Sequence, residues 1–220
     1  MKRIFLISAL FVSLSVSAQY TPFSPDAVTS ATQQASAKDA QTPKAKPKKA
    51  KPAKPVMMIK EKYAAGSCPE VDGKVVWSKT FSCSPLTAQQ IYDRMIAFLQ
   101  DYCKQEGKDP VSKIAIVNRE KHEIGARISE YVTFREGLLR DRALLNYTLR
   151  VNCFDGKCEV IMNNMSYTYD SKFPAEEMLL DKNALNKTQT KFNKGGYEKF
   201  RTKTIDTKDA LMAQVEAALK

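Results

Sequence analysis

RALLNYTLRVNCF (142–154), then Asp155-Gly156, then KCEVIMNNMSYTY (157–169) is the stretch that decides the fold. Asp-Gly between two alternating runs is the strongest short-range hairpin signal, because the two-residue turn that matches strand twist needs φ > 0 at both central residues. Such a turn pairs Cys153 with Cys158, Val151 with Val160, Leu149 with Met162 and Tyr147 with Asn164. One face then collects Leu149, Val151, Val160 and Met162. The other collects Thr148, Arg150, Asn152, Glu159 and Asn163, and strict alternation carries it on to Met165 and Tyr167. A sheet with one covered side has this division.

Working outward, residues 112–134 hold two further strand-like runs, KIAIVN and EIGARISEYVTF, joined near Glu120-Lys121-His122, with two registers one residue apart both allowed. KVVWSKTFS (74–82), preceded by the turn pair Asp72-Gly73, reads as another strand. Between these lies a well-marked helix. Thr87 and Gln90 form a capping box, and Leu86 and Ile91 occupy the staple positions beside it. Ile91, Met95, Phe98, Leu99 and Tyr102 then form one apolar stripe, ended by Gly107 and Asp109-Pro110. After the hairpin, PAEEMLLDK predicts a short helix with Pro174 in its first turn. A long basic loop with Gly195-Gly196 follows, and a last helix starts at about Asp206 with Leu211, Val215, Ala218 and Leu219 on one side. The order is strand, helix, four strands, helix. It predicts an α+β domain, an antiparallel sheet of about five strands with helices on one face.

The 220 residues carry 35 Lys+Arg against 24 Asp+Glu, a net charge of +11, but the excess is local. Residues 38–62 hold nine lysines against Asp39 and Glu61, net +7; residues 1–37 contribute +1, leaving +3 for residues 63–220. MKRIFLISALFVSLSVSA (1–18) has two cations, an apolar run and small residues at its end, the pattern of a secretory signal peptide cleaved near Ala18. Its apolar run is shorter than the roughly 20 residues that cross a bilayer, so no transmembrane segment is expected after cleavage. Residues 19–62, rich in Lys, Pro and Ala, have too little apolar surface to offset ordering entropy and read as a disordered linker. The same stretch could act as an electrostatic arm, with Lys46, Lys48, Lys49, Lys51 and Lys54 along an anionic envelope polymer. Residues 63–220 are then one domain, large enough to fold without metal or disulfide.

Five cysteines in an exported chain leave at least one unpaired. Cys153 and Cys158 sit one pair beyond the turn, at the non-hydrogen-bonded position where strands approach to about 4.5 Å, within the range a disulfide spans. A bridge there closes a six-residue ring worth roughly 2 kcal/mol. Two reduced thiols or a redox pair are the alternatives, the latter without a Cys-x-x-Cys at a helix start. Among Cys68, Cys83 and Cys103, a Cys68–Cys83 bridge is preferred. His122, the single histidine, falls in a turn, so neither a metal cluster nor a base for a nucleophile is expected. No Gly-rich phosphate loop exists, and no cofactor is implied.

Two surfaces are binding candidates. The first is the polar sheet face with Thr148, Arg150, Asn152, Asn163, Met165 and Tyr167. The second is the segment 182–208, net +6, in which Phe192, Tyr197 and Phe200 interleave with lysines and Arg201.

KVVWSKTF leading into LTAQQIYDRMIAFL, then NYTLRVNCFDGKCEVIMNNMSY and a polar stretch ending in a helix, together resemble the bacterial domain of unknown function 4468. The resemblance implies a TATA-binding-protein-like fold, a curved antiparallel sheet backed by helices, in exported proteins of Gram-negative bacteria. It supplies no catalytic residue. The function expected is a non-catalytic exported domain that binds an unknown protein or an anionic envelope component on a basic tether. A structural envelope protein acting through its Lys/Pro arm is the alternative, and an enzyme comes third. Export leaves chromosomal DNA an unexpected partner, whatever the fold.

Overall fold

The computed structural model describes residues 59–220. The predicted leader and most of the predicted linker, including Lys46, Lys48, Lys49, Lys51 and Lys54, lie outside the described residues.

The chain runs through strands β1 (Glu70–Val71), β2 (Lys74–Val75), β3 (Trp77–Ser82), β4 (Lys113–Asn118) and β5 (Glu123–Arg135) to the long hairpin of β6 (Asp141–Phe154) and β7 (Lys157–Thr168). The β6–β7 hairpin closes on Asp155-Gly156, where Gly156 takes φ 70° but Asp155 stays at negative φ, so one left-handed residue closes the turn rather than the two expected. Its ladder pairs Cys153 with Cys158, Val151 with Val160 and Leu149 with Met162, as predicted. The register then departs. Thr148 pairs with Asn163 but Asn146 pairs with Ser166, so Asn164 and Met165 together stand opposite Tyr147. Asn164 takes φ 52°, a left-handed conformation that Asn tolerates better than most residues. One extra residue inverts the alternation beyond it. Met165 and Tyr167, predicted on the polar face, are 3% and 0% exposed within the core.

The main sheet is antiparallel, in the order β3-β7-β6-β5-β4, with the short strand β8 (Lys172–Pro174) pairing β7 as its sixth member. The predicted strand 74–82 divides at Val76, whose N–H donates to Pro69 O (3.0 Å). Its first part, β2, pairs with β1 around Asp72-Gly73 as a separate small hairpin. Two registers were admissible for β4 and β5 because the pairing shifts between Ile114 and Ile116: Ala115 is extra, so both alternations occur in one strand. Further register shifts at Thr133/Arg135 and Asn146/Thr148 bend the long strands.

Helix α1 is Ala88–Tyr102, and both halves of its capping box form: Gln90 N–H donates to Thr87 Oγ1 (3.3 Å) and Thr87 N–H to Gln90 Oε1 (2.9 Å). Ile91, Met95, Leu99 and Tyr102 are buried, Phe98 is half-buried, and Tyr92 joins them. Two single-turn helices follow β8, α2 (Glu176–Leu179) and α3 (Asp181–Ala184). The last helix, α4, is Tyr197–Leu219, nine residues longer at its start than predicted. Its first turns bury Phe200, Arg201, Thr204 and Ile205. Arg201 and Thr204 occupy stripe positions without being apolar, so hydrophobic periodicity does not register there.

Helices α1 and α4 lie together on the core side, where Arg94 Nη1 from the middle of α1 donates to Leu219 O at the C-terminal end of α4 (2.9 Å). A 3-10 turn, Glu61–Tyr63, rests on α4: Lys62 Nζ pairs with Asp206 (2.7 Å) and Asp209 (3.0 Å), and Tyr63 O–H donates to Asp206 (2.9 Å). Lys62, counted with the linker from its lysine-rich surroundings, is therefore fastened to the domain.

Candidate binding face

The surface of the sheet opposite α1 and α4 is set by strand alternation. On β6 it carries Arg142, Asn146, Thr148, Arg150 and Asn152; on β5 Arg127, Ser129 and Tyr131; on β7 Glu159, Asn163 and Ser166. Its polar groups are partly organised among themselves. Asn152 Nδ2 donates to Glu159 Oε2 (2.9 Å) and Ser129 Oγ to Asn146 Oδ1 (2.6 Å). Arg142 stacks on the Tyr131 ring at 4.0 Å. By contrast, Lys113, Arg127, Arg150 and Lys172 have no ion-pair partner among the described residues. A shallow groove of about 420 Å³ crosses the strands here, lined by Lys113, Arg127, Ser129, Asn146, Thr148 and Ser166. Of the predicted face residues, Thr148, Arg150, Asn152 and Asn163 are brought together; Tyr167 is not, and its O–H instead meets Thr204 Oγ1 inside the core.

The family model described as a domain of unknown function (DUF4468) with TBP-like fold matches residues 77–168. A DUF4468 family protein from Bacteroides ovatus, solved by crystallography, is 38% identical, with a TM-score of 0.68, over 72% of this chain and 93% of that one. The chain belongs to the DUF4468 family. A TBP-like protein from Parabacteroides distasonis, 17% identical with a TM-score of 0.56 over 69% of this chain and 96% of that one, shares the fold. No curated protein matches the sequence.

The second predicted surface of this DUF4468 domain does not form as one patch. Phe200 is buried among Phe134, Tyr167 and Phe173, and Arg201 is fully buried. Lys182 pairs with Glu70 (2.8 Å), Lys199 with Asp141 (2.8 Å), Arg201 with Asp181 (2.7 Å) and Lys208 with Asp209. Half of the segment's eight cations are thus neutralised within the domain. Helix formation from Tyr197 turns one side of the segment inward.

Sequence reading missed a buried polar cluster between α1 and the sheet. Lys108 pairs with Glu130, Tyr147 O–H donates to Glu130 Oε1 (2.7 Å), and the Tyr102 and Tyr147 hydroxyls meet at 3.2 Å. Lys108 Nζ also lies 3.9 Å from the Tyr102 ring centroid. Burial pushes both phenols well above their usual range. Every member is satisfied by another, so the cluster fixes the seating of α1 on β5 and β6. Its signal lay in parity: Glu130 falls in the inward series Ile124, Ala126, Ile128, Glu130, Val132 of β5.

Cys83, Cys153 and Cys158 come together at the turn end of the sheet. Cys83 N–H donates to Gly156 O (2.8 Å), Phe81 pairs with Cys158, and Cys158 pairs with Cys153. All three are buried free thiols. The hydrogen bond with Cys153, and then burial, push the Cys158 thiol up. Cys68 lies elsewhere, next to Pro69, which bonds Val76 beyond the far end of β3. Seven residues of extended chain, roughly 23 Å, separate Val76 from Cys83, against a Cα limit of about 7 Å for a disulfide. The preferred Cys68–Cys83 bridge is therefore ruled out by the length of β3. His122 is held in its turn at φ 51°, with Nε2 3.2 Å from Gln89 Oε1 and its ring edge-on to Tyr92. Among the described residues no cysteine, serine or carboxylate bonds its side chain, no group of His, Cys, Asp and Glu could hold a metal, and no helix is long and apolar enough to cross a membrane.

Proposed function

We propose that this chain is a non-catalytic, exported binding domain that recognises its partner through the uncovered face of the sheet. The observation that carries the reading is that face: long strands packed by helices on one side only, with guanidinium, amide and hydroxyl groups on the other and cations left without carboxylates. Amide and hydroxyl groups adapt their hydrogen bonds to a ligand, and unpaired cations favour anionic groups. Export is supported by the leader-like residues 1–18, and an oxidising destination would allow Cys153 and Cys158 to close into a disulfide.

The test is a pull-down from envelope extract with the wild-type chain and an Arg127→Ala/Arg150→Ala variant. Loss of a specific partner in the variant, with the melting temperature unchanged, supports the reading; equal recovery removes the face from consideration. A second reading, a structural envelope protein held by its arm, rests on the six lysines between residues 44 and 54. Deleting residues 38–58 and measuring retention on isolated envelopes at low and high salt separates the two, because retention that survives the deletion and the salt cannot come from the arm.

A further inference from the structure

The turn between β5 and β6 reads Glu136-Gly137-Leu138-Leu139-Arg140, and its two leucines are 102% and 79% exposed. Isolated exposed leucines are ordinary, but two adjacent ones at the extremity of a hairpin form an apolar tip. The tip stands clear of the domain. The last ladder pair is Arg135 with Asp141, and the last side-chain ties are at Asp141, which accepts from Tyr169 O–H (2.6 Å) and Lys199 Nζ (2.8 Å).

Behind the leucines lies a cationic and aromatic belt. Arg135, Arg140 and Arg142 have no ion-pair partner among the described residues, while Asp141 is neutralised by Lys199, leaving Glu136 and the neighbouring Asp170 as opposing charges. Arg142 lies over Tyr131, and Lys199 Nζ lies 5.0 Å from the Tyr169 ring. An apolar end followed by arginines and tyrosines matches the depth profile of a bilayer surface, where acyl chains give way to phosphates and then water. The shape points the same way. A protein partner would have to offer a pocket for a convex two-leucine tip, whereas a bilayer accepts any such protrusion.

We propose that the β5–β6 hairpin inserts Leu138 and Leu139 into a lipid bilayer bearing anionic headgroups, with Arg135, Arg140 and Arg142 among the phosphates. The proposal shares Arg142 with the sheet face but rests on the leucine tip, which lies outside that face. Two leucines make the association weak and reversible, a second contact rather than a permanent anchor.

The experiment compares the full chain with Leu138→Ser/Leu139→Ser for co-sedimentation with phosphatidylcholine–phosphatidylglycerol vesicles at physiological salt. Both proteins keep the same N-terminal region, so the difference isolates the tip, and both should melt alike because the positions are exposed. The serine variant should partition at least roughly tenfold more weakly, from the lost burial of two leucines. A third protein, Leu138→Trp, reads insertion directly against the buried Trp77, which is 6% exposed. Its emission should shift to the blue and be quenched by brominated lipid. Equal sedimentation of wild type and serine variant, or an unshifted tryptophan, overturns the proposal. So does a lipid-free dimer that the serine variant abolishes, which would assign the tip to a second copy.

Discussion

Arg201 is the side chain on which most of the peripheral structure converges, and Arg201→Met tests whether that convergence is energetic. Its Nε donates to Tyr63 O (3.0 Å), Nη2 to Ala64 O (2.7 Å) and Nη1 to Leu179 O, and Nη2 also forms an ion pair with Asp181 Oδ1 (2.7 Å). One guanidinium thus joins the N-terminal turn, the end of α2 and the start of α3 to α4. Its side chain is 0% exposed, so methionine can fill much of the volume but satisfies none of the three carbonyl acceptors and leaves Asp181 without its counter-charge. Removing one partner of a buried ion pair costs about 3–5 kcal/mol, because the remaining charge is left without compensation. Asp181 keeps a 27% exposed side chain and the Gly66 N–H (2.7 Å), which places the loss toward the lower end, about 3 kcal/mol. For a domain of this size that is a melting point lower by roughly 6–12 °C. Urea unfolding measures it. Arg201→Lys should recover part of the loss, and Asp181→Asn combined with Arg201→Met should lose less than the two singles added. A methionine variant within about 0.5 kcal/mol of wild type would refute the assignment of Arg201 as a structural hub.

Asn164→Gly should be neutral or slightly stabilising, whereas Asn164→Val should cost about 1–2 kcal/mol in urea unfolding, since φ 52° is strained for a β-branched residue; equal effects would remove the bulge as the determinant of the β7 register. The Cys68 thiol, pushed up to about 12 by burial, should be only about one part in ten thousand thiolate at pH 8, so iodoacetamide should leave it unmodified in the folded chain. Protein recovered from an oxidising compartment should titrate three thiols in denaturant without reductant, with peptides containing Cys153 and Cys158 linked on mass spectrometry; five thiols would exclude the bridge. Hydrogen bonds from Lys199 and then Tyr169 hold the Asp141 carboxyl below its usual 3.8. That contribution is present above pH 3.8 and lost as the pH falls through the lower folded value, so Asp141→Asn should shallow the acid decline of stability below about pH 4 and leave the region from pH 5 to 7 parallel. An unchanged acid slope would show that Asp141 is not coupled to folding.

The residues that announced themselves in sequence did so through short-range rules. Asp155-Gly156 dictated a hairpin because Asp favours turns and Gly enters the left-handed region at little cost, and Thr87 with Gln90 dictated a helix start because each satisfies an otherwise orphan N–H of the other. From these the order of elements, the covered and uncovered faces of β6, and the placement of Thr148, Arg150, Asn152 and Asn163 were all legible. Tertiary structure decided what local rules leave degenerate. The bulge at Asn164 sends Tyr167 into the core, and nothing within three residues of it specifies that outcome; packing against Phe200 and Thr204, more than 30 residues away, does. The first turns of α4 are helical because Arg201 finds three carbonyl acceptors and the Asp181 carboxylate on distant segments, a reward that periodicity cannot register. The separation of Cys68 from Cys83, and the meeting of Cys83 with Cys153 and Cys158, likewise depend on which strands lie side by side. Spacing along a chain fixes local conformation, but proximity between distant residues exists only after the sheet has assembled.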